Sequence, residues 1–252
     1  MKKLTLLSAL VIGLGLAPAF GQMGPAGGSH GPNFSGALNK LFGANQAFSA
    51  SLEFHTGGDS TEGTTLPGKI SFDAGKSRFE MHMGEAKGAH VPPAQQMKAM
   101  GMDTIIAITR PDLKLGYLVY PSLNSYAVMP PQDPASTANP DDFTMETADL
   151  GKETVDTHDC TKSKVTVTDK ESNKHIYTVW NAADLKNFPI KITTSESEGN
   201  VTIQFKNITL AKPDASLFEA PASYTKYDSV QALVMEQMKK RMPPMGAPAE
   251  QN

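Results

Sequence analysis

From Phe48 the chain alternates, with Phe48, Ala50, Leu52 and Phe54 on one side and Ser49, Ser51, Glu53 and His55 on the other. A period of two predicts a half-buried β-strand. Gly57, Gly58 and Asp59 should turn the chain, and Lys69 to Asp73 is the next strand. Ala74, Gly75 and Lys76 predict a tight turn, with Gly75 supplying the unusual backbone angle. Ser77 to Met83 returns, placing Phe79, Met81 and Met83 on one face and Arg78, Glu80 and His82 on the other. Strands are predicted again at Thr104–Thr109, Lys114–Tyr120 and Asn124–Met129, separated by Pro111-Asp112 and Pro121-Ser122. After a proline-rich stretch from Pro130 to Asp142, strands are predicted at Thr144–Leu150, Thr161–Thr168, His175–Trp180, Ile190–Thr194 and Val201–Leu210. Asn181 to Asn187 is a turn or a helical corner.

Helical signals are few. Gly36 to Ala44 carries Leu38, Leu41 and Phe42 and predicts a short helix. Pro92 and Pro93 suit the first turn of another, with Ala94, Met97 and Met100 close together on it. Asp228 to Arg241 is the clearest, capped by Asp228 or Ser229, with Val230, Leu233, Val234 and Met238 as its stripe. About ten antiparallel strands and two or three short helices predict a mainly β fold. Such a sheet must bury one face, so a curved antiparallel sheet or incomplete β-barrel with short helices closing the mouth is expected.

The first residues change the compartment. Lys2 and Lys3 precede an apolar run from Leu4 to Leu16, followed by small residues. These are the parts of a secretory signal, and the run is shorter than the roughly 20 residues needed to span a bilayer. Cleavage is expected after Gly21, and export to the periplasm follows. The predicted organisation is a signal peptide at 1–21, a flexible linker and short helix at 22–45, a β domain at 46–227, and a helix with a disordered tail at 228–252.

The formal charge is −3, and loss of Lys2 and Lys3 makes it more negative. Such a chain lacks the basic field that nucleic acid binding requires. Cys160 is the single cysteine, so no internal disulfide can form. It reads as a small buried residue, although His158 would share its face on a strand.

The order of short motifs carries a resemblance. Gly-Lys-Ile-Ser-Phe-Asp from Gly68, Ser-Arg-Phe-Glu-Met from Ser77 and Ile-Ile-Ala-Ile-Thr-Arg-Pro-Asp from Ile105 come first. Leu-Gly-Tyr-Leu-Val-Tyr-Pro from Leu115 and Asn-Ser-Tyr from Asn124 follow. Later come the runs starting at Leu150, Trp180, Phe188, Phe205 and Ser216. Over residues 46 to 227 the set resembles the outer-membrane lipoprotein carrier superfamily, nearer to a domain-of-unknown-function branch than to the true carrier. The resemblance implies an incomplete, strongly curved barrel with helices closing an apolar cavity. In true carriers that cavity holds the acyl chains of a lipoprotein. An arginine on an early strand at the mouth is functional there, and its position matches Arg78. The proline-rich loop and the methionine-rich helix depart from the carrier pattern.

Candidate chemistry is sparse. Phe79, Met81 and Met83 read as an apolar lining or as an ordinary core face, and unbranched methionine suits variable acyl chains. Trp180 reads as core or as a recognition residue. Met81, His82, Met83, His90, Met97, Met100 and Met102, with Met235, Met238, Met242 and Met245, have the soft donors of a reduced-copper site. Packing explains the same residues. Adjacent Asp141 and Asp142 show no partner for acid–base work. The chain contains no G-x-S-x-G, H-E-x-x-H, C-x-x-C or phosphate loop, so no enzyme activity and no cofactor is expected. The reading is a periplasmic binding or carrier protein for an acyl chain, lipid or lipoprotein segment. Arg78, Phe79, Met81, Met83 and Trp180 are its candidate ligand-binding residues. The alternatives are an envelope structural or interaction protein, with an envelope protein as partner, and a methionine-rich copper protein.

Overall fold

Two antiparallel meanders share one sheet. The computed structural model describes residues 36–57, 63–89, 91–129, 140–196 and 199–241. The first meander is β1 (Ala47–Thr56), β2 (Thr64–Asp73), β3 (Lys76–Met81), β4 (Ile105–Arg110), β5 (Leu115–Tyr120) and β6 (Ser125–Met129). The second is β7 (Thr144–Val155), β8 (His158–Thr168), β9 (Lys174–Ala182), β10 (Phe188–Glu196) and β11 (Gly199–Thr209). A short β12 (Thr225–Tyr227) follows. The helices are α1 (Gly36–Leu41), α2 (Ala94–Met100) and α3 (Val230–Arg241). The strand order is β12-β6-β5-β4-β3-β2-β1-β11-β10-β9-β8-β7, with β7 and β12 at its two edges. The sheet is therefore open, an incomplete barrel as expected. The predicted signal peptide, its cleavage site, the linker 22–35 and the tail from Met242 lie outside the described residues.

The two meanders join where β1 pairs antiparallel with β11. The alternation read at Phe48 is real: β1 buries Phe48, Ala50, Leu52 and Phe54 in turn. Phe42, just past the end of α1, sits at the centre of this join. Its ring centroid lies 4.7 Å from Phe48, 5.9 Å from Phe72, 5.6 Å from Phe188 and 5.7 Å from Phe205. Ala37, Leu38 and Leu41 of α1 are buried in the same cluster. Aromatic pairs at such separations contribute about 0.5–1.5 kcal/mol each beyond area burial.

Three strand connections share one design. Pro111–Leu113, Pro121–Leu123 and Ala183–Leu185 each make one 3-10 turn. Each ends on a residue with positive φ: Lys114 at 52°, Asn124 at 45° and Lys186 at 54°. The left-handed step reverses the chain in few residues, and asparagine tolerates it better than lysine. Gly68 has a different reason to be glycine. A Cβ there would run into the Glu80 carbonyl oxygen of β3, so β2 and β3 approach more closely than a side chain allows.

Several expectations change. β12 pairs with β6 in parallel, so the sheet is not purely antiparallel. Parallel pairing follows from the crossover after β11, which carries the chain to the far edge through residues 210–224. Phe218 in that crossover is buried with Ile106, Ile108 and Val119. Arg110 pins it, donating to the Phe218 carbonyl at 3.3 Å and pairing with Glu219 and Asp112. β7 runs on to Val155, beyond the predicted Leu150, and only Val155 of it is buried. β3 stops at Met81, and Met83 falls in a 3-10 turn, Met83–Glu85. Ser229 is the α3 cap, its Oγ accepting from the Ala232 amide at 3.1 Å.

Phe42→Ala should destabilise the protein by about 3–5 kcal/mol, the usual cost of deleting a buried ring. Urea unfolding measures it. A loss below about 1 kcal/mol would show that α1 is not what holds the two meanders together.

Candidate functional site

One face of the first meander carries a continuous apolar row. Ala127, Leu118, Ala107, Phe79, Ile70 and Ala50 stand directly opposite one another from β6 to β1. In the next row Ile105 faces Met81 and Met81 faces Gly68. Strand alternation puts both rows on the same side. The two ends of this side are covered. α1 fills the β1 end through the phenylalanine cluster. At the β6 end α3 inserts Leu233, 2% exposed, beside Tyr120 and Ala127. Burial pushes the Tyr120 hydroxyl up to about 12, so it is neutral at any physiological pH.

Between the two covers lies a seam. Leu66, Met81 and Ala107 pack on the edge of the α1 cluster, and Ile105 and Leu118 on the edge of the α3 cluster. All five are only half-buried. Phe79 at the centre is 4% exposed and meets Phe54 edge-on at 5.1 Å. It is the packed floor of the seam. α3 is lightly attached by comparison: Val234, Met235 and Met238 are 44%, 53% and 62% exposed.

The structure brings two of the five candidate residues together. Phe79 and Met81 share the seam. Met83 does not join them, because the strand has ended and the alternation with it. Arg78 stands on the opposite face, which alternation requires of the neighbour of Phe79. Its guanidinium donates to Glu80 Oε2 at 3.3 Å, and His82 Nε2 lies 2.8 Å from Glu80 Oε1. Partial burial raises the Glu80 pKa, but the His82 hydrogen bond and the Arg78 charge outweigh it and hold the carboxyl below its ordinary value. The anion beside Arg78 is thus a carboxylate of its own strand.

Trp180 is five strands from Phe79 in the sheet order, about 24 Å along the sheet at roughly 4.8 Å per strand. It stands in register with Lys162 and Lys191, whose ammonium groups lie 4.9 Å and 4.5 Å from the ring centroid. Val179 beside it stands in the buried row with Ser163 and Ile192. Trp180 is itself buried in the main core cluster, with both lysine ammonium groups over its ring. Cations over an indole face are held by its quadrupole.

The remaining chemistry is accounted for locally. His158 Nδ1 lies 2.7 Å from Asp184 Oδ2, while the Cys160 thiol donates to the His158 carbonyl at 3.5 Å. Burial pushes the Cys160 thiol up, and the Asp184, Asp159 and Glu153 carboxylates add to this. That is the reverse of thiol activation. Among the described residues no group of three or more His, Cys, Asp or Glu side chains could hold a metal. Met97 is 1% exposed and packs as core, and His90 lies outside the described residues. A mixed groove of about 440 Å³, which no sequence signal marked, lies between Asp156, His158, Leu185 and the end of β11. Turns distant in sequence build it.

Comparison with known proteins adds a family model and a set of loose structural neighbours. The model, described as a domain of unknown function (DUF4412), matches residues 168–224. No curated protein matches. The fold is similar to MucB, at 14% identity and a TM-score of 0.38 over 75% of this chain and 63% of that one. This chain thus spans less than two thirds of MucB. A LolA superfamily protein from Nitrosomonas europaea is similar at 11% identity and a TM-score of 0.34, over 73% of this chain and 96% of that one. LprF from Mycobacterium bovis is similar at 13% identity and a TM-score of 0.39, over 73% of this chain and 97% of that one. The superfamily that the motif order resembles is therefore among the structural neighbours.

Arg78→Ala should raise the Glu80 pKa, because a cation is removed while the partial burial stays. A carboxylate with a depressed pKa stabilises the fold above its unfolded value, and that contribution is lost as pH falls through the folded one. The variant should therefore lose this contribution at a higher pH than the wild type. NMR titration of the Glu80 carboxyl checks it, and an unchanged midpoint would leave His82 as the only partner that matters.

Proposed function

We propose that this protein is an exported, periplasmic binding protein that holds an apolar chain along the seam between α1 and α3. An acyl chain, a free lipid or the acylated segment of a lipoprotein has the right chemistry. The supporting observation is the half-buried strip of Leu66, Met81, Ile105, Ala107 and Leu118 over the floor of Phe79. Extending an apolar chain along it removes further surface from water, at about 25 cal/mol per Å². Met81 adapts to chains of different shape because its thioether side chain is unbranched. α3, anchored mainly through Leu233, is the element that would shift to admit the ligand. Arg78 and Trp180 have no part in holding the chain in this reading, since both stand away from the seam.

A second reading has its own observation. Val234, Met235 and Met238 leave an apolar face of α3 open, and exposed apolar patches mark contact surfaces. In that reading the seam stays closed and α3 meets an envelope protein.

Titration with the apolar dye N-phenyl-1-naphthylamine separates the two. The wild type should take up dye, and a palmitoylated peptide should displace it. Leu118→Asp should weaken uptake at least tenfold, while Trp180→Phe leaves it unchanged. No uptake by a folded wild type would reject the carrier reading in favour of the contact surface.

A further inference from the structure

The two edges of the sheet are treated differently. β12 is three residues long, pairs in parallel with β6, and leads directly into α3, which packs on both strands. That edge is short and covered. β7 is twelve residues long and pairs only with β8. Among the described residues no strand pairs with its outer side. Eleven of its residues are exposed, including Met145 at 46% and Leu150 at 51%. Proteins normally blunt such an edge, because its unpaired N–H and C=O groups are a template for another strand.

Among the described residues one bulge interrupts the pairing of β7. Its register with β8 shifts between Asp149 and Gly151, where Gly151 has φ 100° and donates its amide to Asp149 Oδ1 at 2.7 Å. The bulge breaks the edge there. Before it, Thr144 to Asp149 pairs with Thr168 to Ser163 without a shift. This straight stretch carries Glu146 and Asp149 and no cation. Among the described residues neither acid has a cationic partner, whereas Glu153 beyond the bulge is paired with Lys162 at 2.9 Å.

We propose that the stretch Thr144–Asp149 is a docking edge for an extended segment of another polypeptide that carries basic residues. The segment would add as a further strand, so that main-chain hydrogen bonds supply the affinity. A basic side chain on one face of the added strand would meet Glu146, and on the other face a second basic side chain would meet Asp149 while an apolar one covers Met145. A second copy of this chain fits poorly, because its own edge would bring Glu146 and Asp149 against the same acids. Like charges placed opposite each other on a sheet are destabilising. The chain as a whole is also acidic, at −3. The proposal is independent of the seam and of what it binds.

Hydrogen exchange of the full-length protein tests it, with two capped probes: the hexapeptide Lys-Thr-Val-Lys-Val-Thr, whose two lysines fall on opposite faces of a strand, and its counterpart with glutamate for both lysines. The lysine probe should slow exchange of outward-facing amides in 144–149 at least tenfold, and the effect should weaken as salt is added. The glutamate probe should do nothing. The variant Glu146→Lys leaves the hydrogen bond between Gly151 and Asp149 in place and should weaken protection by the lysine probe at least tenfold. Equal protection by both probes, or by neither, would overturn the proposal. So would amides already protected without a probe, whether in proportion to protein concentration, which would mean a second copy, or independently of it, which would mean the chain covers its own edge.

Discussion

The join between β1 and β11 is the contact on which the rest of the structure depends. Each meander alone is a twisted ribbon with one apolar face and two open edges. Pairing β1 with β11 removes one edge from each and brings their apolar faces into one surface. Phe42 makes that arrangement worth forming, since its ring reaches Phe48 and Phe72 on one side of the join and Phe188 and Phe205 on the other. Hydrogen bonding between the strands sets the register, and the aromatic cluster supplies the burial that offsets the entropy of ordering both halves.

That cluster also decides which part of the sheet face is filled. α1 fills the side of the sheet nearest the join, so no room is left there. α3 covers the far end through one fully buried leucine. The strands in between are too far from either helix to be fully covered, and the half-buried seam is the result. The seam thus has a packed floor, where Phe79 meets Phe54 edge-on, and beside it a helix with one fully buried leucine. Elements with few buried contacts open at low cost, and binding elements are drawn from them. On the opposite face Phe218, in the crossover held at Arg110, packs against Ile106, Ile108 and Val119.

Much of this was legible in the alternation. Phe48 to Phe54, Lys69 to Asp73 and Thr161 to Thr168 announce their strands because each has one wet and one dry face. The second half of β7 and all of β12 gave no such signal. An edge strand wet on both faces has no apolar period, and a three-residue strand is too short to show one. The apolar face of β3 was legible in part. Phe79 and Met81 follow from the period of β3, but extending that period to Met83 assumed a strand that ends at Met81. The placement of Arg78 opposite Phe79 was also in the pattern. The pattern also put Glu80 and His82 on the Arg78 face; what it did not show was that Glu80 is hydrogen-bonded to both Arg78 and His82.

The sequence by itself determined a mainly β chain, its principal strands, its three short helices and the absence of any internal disulfide. These depend on local period, on turn residues and on a cysteine count. Tertiary structure alone decided which edge stayed open, that β12 runs parallel, that Trp180 is capped by two lysines on a distant strand row, and which apolar residues remain half-buried. Each of these depends on residues far apart in the chain meeting across the sheet. Burial is a property of the whole packing, and no single strand's pattern contains it.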